Sequence, residues 1–109
     1  MFKLFASGLG GVVLATALTA RAAPAPVTIK IDNFTFAPPA LVIPAGTTVT
    51  WVNEDDVPHT AVADDHKTFR SKPMDTEDKY TFTFATPGVY PYFCSIHPHM
   101  TAKIIVKAS

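Results

Sequence analysis

The chain has 109 residues, 48% of them hydrophobic and 17% charged, which is enough for one buried core and too short for two. Nine basic residues balance nine acidic ones and no Lys/Arg cluster occurs, which excludes a nucleic-acid binder that must neutralise a phosphate backbone. The single cysteine, Cys94, excludes an intrachain disulfide framework.

The first segment, Met1 to Ala22, is set apart from the fold. Lys3 gives a short basic start, Leu4 to Ala20 is apolar or small, and Ala20-Arg21-Ala22 has the small-x-small form of a cleavage site. The pattern predicts a secretory signal over residues 1–22 and export, to the periplasm or another extracytoplasmic space. Ser7, Gly8, Gly10 and Gly11 dilute the run below the roughly 20 strongly apolar residues of a spanning helix, so no stable membrane insertion is expected after cleavage. Removal of this segment takes Lys3 and Arg21 and no acid, leaving 7 basic against 9 acidic residues and a formal net charge of −2 on the domain, residues 23–109. In an oxidising compartment cysteines are normally paired, so the lone thiol stands out.

Short strand-like stretches then follow one another. Val27 to Asn33 alternates apolar Val27, Ile29 and Ile31 with polar Thr28, Lys30 and Asp32, the period-2 pattern of a strand with one buried face. Phe34 to Pro39 reads as a turn, Leu41 to Ile43 as a short extended piece, and Pro44-Ala45-Gly46 as the next turn. Thr47 to Asn53, Thr60 to Ala63, Lys79 to Phe84, Val89 to Phe93 and Thr101 to Lys107 complete the set. Asp64 to Asp78 is polar and irregular, with Phe69 and Met74 expected to tuck into the core. No stretch after Ala22 has a helical period. About seven to eight strands with turn signals between them predict an all-β Greek-key sandwich. Its expected core is Ile29, Ile31, Phe36, Val49, Trp51, Tyr80, Phe82, Phe84, Tyr90, Tyr92, Ile104 and Val106. A sandwich gathers its loops at two ends, so His59 and the loop after Phe93 are expected to meet at one of them.

That loop carries the chemistry. Cys94, His97 and Met100 are spaced C-x-x-H-x-x-M, offering a thiolate, a neutral imidazole and a thioether, and His59 in "NEDDVPHTAV" can supply a second nitrogen. Two histidines and a cysteine with a weak axial methionine is the donor set of an electron-transfer copper site. Zinc sites use four Cys/His ligands or keep a water position, and methionine suits neither. A binuclear copper centre would need a second cysteine.

"TVTWVN…VPHT", followed by "GVYPYFCSIHPHM" and a closing "KIIVK" strand, resembles the cupredoxins. The two-residue step between His97 and Met100 is similar to that of amicyanin-like members, plastocyanin-like members having a longer one. The resemblance implies one type 1 copper held by His59, Cys94, His97 and Met100. It differs at Thr60, where the family often has asparagine, and at His99, where amicyanin-like loops carry an aromatic. The Thr60 hydroxyl is still expected to tie the two ligand loops by hydrogen-bonding at Cys94-Ser95. Pro98 stiffens the backbone between His97 and His99, which argues against both binding one ion, and His66 in "DDHK" reads as solvated.

The function expected is that of a small soluble monomeric electron carrier, without enzymatic activity. Its redox donor and acceptor, a c-type cytochrome or a dehydrogenase by type, would dock near His97 over Ile96, Pro98 and Pro58. The alternative is a periplasmic copper delivery or storage protein using His99 and His66 for handoff. Glu54-Asp55-Asp56 reads as a wet turn, or else as an acidic rim that steers a basic partner.

Overall fold

A computed structural model describes residues 22–109; the signal segment predicted for residues 1–22 lies outside them except for Ala22. Eight strands form: β1 (Val27–Asp32), β2 (Thr35–Ala37), β3 (Ala40–Pro44), β4 (Thr47–Asn53), β5 (Val62–Ala63), β6 (Lys79–Phe84), β7 (Gly88–Phe93) and β8 (Thr101–Lys107). They build two four-stranded sheets, β2-β1-β4-β6 and β3-β8-β7-β5, with no helix among the described residues. β1 runs parallel to β4 with Ile29 opposite Trp51, and β3 runs parallel to β8 with Ile43 opposite Val106. The other strand pairings are antiparallel.

The alternation in the sequence decides which face is inside. In β1, Ile29 and Ile31 are fully buried while Thr28, Lys30 and Asp32 face solvent. On the outer face of β4 and β6, the Thr48 and Thr83 hydroxyls lie 2.8 Å apart and those of Thr50 and Thr81 3.1 Å apart, cross-strand pairs that hold this register. Gly46 takes φ +97° in the turn between β3 and β4, where its N–H donates to the Phe84 carbonyl at 2.6 Å.

Between the sheets Trp51 is the central side chain, stacked on Phe69 at 5.2 Å and edge-on to Tyr92 at 5.6 Å. Trp51 Nε1 and the Tyr92 hydroxyl are buried with no hydrogen-bond partner, and burial pushes the Tyr92 phenol pKa up. Phe69 and Met74 enter the core as expected. Tyr80, Phe82 and Tyr90, expected inside, are only half-buried and pack against the core from its rim, while Ile43, Ala61, Cys94 and Met100 join it. The segment read as a turn after Asn33 holds a short strand. Asn33 and Phe34, both with positive φ, reverse the chain so that β2 pairs back on β1 and places Phe36 opposite Ile31.

Parallel pairing makes β1 and β4 end side by side. The turn after β1, the segment after β4 and the loop after β7 therefore meet at one end of the sandwich, and the chemistry-bearing residues are on those three segments.

Candidate metal centre

His59 follows β4 in a stretch held by its neighbour in space: His59 N–H donates to the Met74 carbonyl at 3.1 Å and Met74 N–H returns a bond to His59 at 2.8 Å. The imidazole is fully buried. Cys94, also fully buried, leaves the end of β7. The loop after it closes on itself, because Met100 N–H donates to the His97 carbonyl at 2.9 Å and Cys94 N–H donates to the Met100 carbonyl at 3.1 Å. Met100, 3% exposed, is thereby brought back against Cys94.

Cys94 Sγ lies 3.8 Å from His59 Nδ1 and 3.7 Å from His97 Nδ1, and the three donor atoms all fall within 4.8 Å of one another. Nitrogen and sulfur ligands reach a metal at roughly 2.0–2.3 Å, so two donors sharing an ion stand about 3.5–4 Å apart, as these do. Among the described residues this is the group of imidazole, thiol and carboxylate donors close enough to hold an ion. The structure thus brings His59, Cys94 and His97 together, with Met100 folded onto the same loop. It leaves out His99, exposed at the mouth of a cleft of about 410 Å³ that Met100 also lines. His66 is exposed and rests on the Phe93 ring at 5.5 Å.

The contacts around the donors orient them. Asp55 Oδ2 accepts from His59 Nε2 at 2.7 Å. A carboxylate can only accept, so Nε2 carries a proton, and in the neutral ring this leaves the Nδ1 lone pair on the side of the sulfur. The same carboxylate accepts the backbone N–H groups of Asn33 at 2.6 Å and Phe34 at 2.9 Å. Burial pushes the Asp55 pKa up, but the N–H groups of Phe34 and Asn33 together with the imidazole outweigh it and hold the carboxyl below its ordinary value. On the other side of the site, Thr60 N–H points at Cys94 Sγ from 3.4 Å, and the Thr60 hydroxyl accepts Ser95 N–H at 2.7 Å and lies 2.8 Å from Ser95 Oγ. This is the expected tie between the ligand loops. Thr60→Val leaves the Ser95 N–H without its partner, and we expect a loss of about 1–3 kcal/mol of stability with faster metal release, read by denaturant titration and chelator competition. Unchanged stability and release would mean that the tie holds nothing.

Phe34 covers both imidazoles, its ring edge-on to His59 at 5.3 Å and to His97 at 5.1 Å. It does so at φ +57°, a backbone state that costs a side-chain-bearing residue on the order of 1–2 kcal/mol. The two bonds to Asp55 hold it there. Neither Asp55 nor Phe34 stands out as a site residue in the sequence. Asp55 sits in an acidic run that resembles any wet turn, and Phe34 lies 25 positions from His59 with no spacing rule to connect them.

Residues 5–106 match the Cupredoxin-like domain family. The chain is 37% identical over 87 residues to amicyanin of Paracoccus versutus, covering 74% of this chain and 64% of that protein. It is 33% identical over 120 residues to amicyanin-alpha of Methylorubrum extorquens, covering 94% and 96%. Among solved structures it resembles a purple cupredoxin from Nitrosopumilus maritimus, with a TM-score of 0.69 and 36% identity over 74% of this chain and 99% of that one. With the match extending over nearly the whole sequence and the donor cluster lying where the strand ends converge, the chain belongs to the cupredoxin-like family.

Proposed function

We propose that the protein is a small type 1 copper protein that carries single electrons between redox partners, with His59, Cys94, His97 and Met100 as its metal ligands. The observation that carries this reading is the buried cysteine sulfur flanked at 3.8 and 3.7 Å by two Nδ1 atoms, one of them on a ring oriented by Asp55 through Nε2. A thiolate, two neutral imidazoles and a thioether suit both oxidation states of copper, and bound copper supplies one-electron exchange.

The chain's own residues supply the rest. His59 and Cys94 are sealed from water, and Phe34, Asp55 and Thr60 hold the donors in one arrangement, which favours small rearrangement on electron transfer. His97 is the half-buried member of the group, with Ile96 beside it 44% exposed, so a partner approaches closest over this ring. The partners are a redox donor and an acceptor, of the cytochrome or dehydrogenase type. The enclosed donors favour a carrier over an enzyme, since a catalytic site needs an open position for substrate. In this reading residues 1–22 act as the export signal and residues 23–109 as the copper domain, and the carrier works in the periplasm or another extracytoplasmic space. No helix among the described residues is long and apolar enough to cross a membrane.

Addition of copper(II) to the purified domain is the deciding experiment. An intense visible sulfur-to-copper charge-transfer band, lost on reduction and recovered on reoxidation, is the expected result. A weak band with rapid transfer of copper(I) to a chelator would instead favour the delivery or storage reading.

A further inference from the structure

The acidic run, read as a wet turn or else as a rim that steers a basic partner, is largely engaged elsewhere. Asp55 is turned inward onto His59 and the Asn33-Phe34 turn, with its side chain 11% exposed, and Glu54 lies 3.9 Å from Lys30 Nζ. That leaves Asp56. On the opposite flank of the donor cluster the charge has the other sign.

Residues 69–74 run antiparallel to residues 59–63. Val62 bridges Arg70, His59 bridges Met74, Ser71 N–H donates to the Ala61 carbonyl at 2.9 Å, and Ala61 N–H donates to Ser71 Oγ at 2.9 Å. Burial alternates along this segment: Phe69 and Ser71 are inside while Arg70 and Lys72 face solvent on the same side. Both cations are therefore mounted on backbone bonded directly to the segment that carries His59 and Thr60. They line a cleft of about 420 Å³ with Thr60, Ser95 and Ile96, the residues beside Cys94 and His97. A second cleft of about 430 Å³ on the other side of the same ridge adds Lys79; its one carboxylate, Asp78, accepts the Asp75 N–H at 2.9 Å. Among the described residues the ion pairs are Lys30 with Glu54 and Asp55 with His59, so neither Arg70 nor Lys72 has an acidic partner.

We infer that the Arg70-Lys72 ridge, together with exposed Ile96, is the docking face for a redox partner that carries carboxylates around its own electron-exchange site. This rests on the electron-carrier reading. Two unpaired cations beside an apolar residue, next to the half-buried imidazole, give charge complementarity and a dry contact at the same place. Attraction of this kind acts chiefly on the association rate and is screened by salt.

The test uses two haem proteins, cytochrome b5, whose haem edge is ringed by carboxylates, and cytochrome c, whose haem edge is ringed by lysines. With the copper-loaded protein at low ionic strength, the stopped-flow rate with cytochrome b5 should exceed that with cytochrome c and fall as salt is added. Backbone amide shifts on adding cytochrome b5 should map to Ser71 and Ile96. The double variant R70E/K72E, checked for an unchanged visible spectrum, should lose about tenfold in rate with cytochrome b5 and lose those shifts. Electron exchange that is indifferent to salt and to the charge reversal would overturn the docking face while leaving the carrier reading intact. Amide shifts at Ser71 and Ile96 without electron exchange would uphold the docking face and sink the carrier reading.

Discussion

Replacing Asp55 by alanine is expected to lower the stability of the metal-free domain by about 3 kcal/mol and to weaken copper binding about 10- to 100-fold. One carboxylate accepts three donors there: the Asn33 N–H at 2.6 Å, the Phe34 N–H at 2.9 Å and His59 Nε2 at 2.7 Å. Hydrogen bonds to a charged group contribute about 1.5–3 kcal/mol each, and three that share one acceptor do not add fully. Alanine also removes the group that holds Phe34 in the left-handed region, so the turn can relax and withdraw the ring from both imidazoles. Asp55→Asn should be intermediate, because its single oxygen cannot replace both carboxylate oxygens. Denaturant titration and copper(I) competition with a chelator measure the two effects; a loss below about 0.5 kcal/mol, the range of an ordinary surface change, would show that the hub does not organise the site. The lowered Asp55 pKa makes a related prediction for the metal-free protein. Its contribution is fully present above the ordinary value of 3.8 and is lost as pH falls through the lower folded-state value, so acid unfolding of Asp55→Asn should be less steep there than that of the native chain.

Cys94→Ser is expected to abolish the intense visible band altogether while leaving the metal-free fold within about 1 kcal/mol of the native chain. The thiol is fully buried and its near neighbours are the Thr60 N–H at 3.4 Å and two Nδ1 atoms, all of which can engage a serine hydroxyl of nearly the same shape. What serine cannot supply is a soft sulfur anion, the donor that matches copper(I) and gives the charge-transfer transition. Absorption spectra of the copper(II)-loaded variant, set beside its denaturant midpoint, separate the two effects. A persisting band would remove Cys94 from the ligand set, and a collapsed fold would make it a packing residue first.

The parts of this molecule written locally in the chain were readable from it. Alternation in Val27 to Asp32 and in Lys79 to Phe84 marked strands, and the Cys94, His97, Met100 spacing marked a candidate soft-metal loop because three potential donors on one short loop need no tertiary information to be noticed. Even the Thr60 tie could be anticipated, since it links neighbours of two ligands. β2 was not legible: three residues between a turn and two prolines are too few to show a period. Asp55 and Phe34 were missed for a different reason. Their contact spans 21 residues and joins a hairpin turn to an interstrand segment, so it exists only once β1 lies parallel to β4. The segment from Asp64 to Asp78 gave Phe69 and Met74 by hydrophobicity alone, but its run alongside residues 59–63 consists of isolated bridges with no pattern to read.

The place of β8 has a consequence for biogenesis. This strand is inserted between β3 and β7 rather than added at an edge, and the ligand loop is the connection that delivers it. During synthesis from the N-terminus, β7 can pair with β5, but β3 cannot be joined to them until residues 101–107 have been made, so the sheet that backs the sulfur and the two ring nitrogens is incomplete before then. The last strand made is thus the one that locks the sandwich together, and only the full-length polypeptide can present the completed copper cradle.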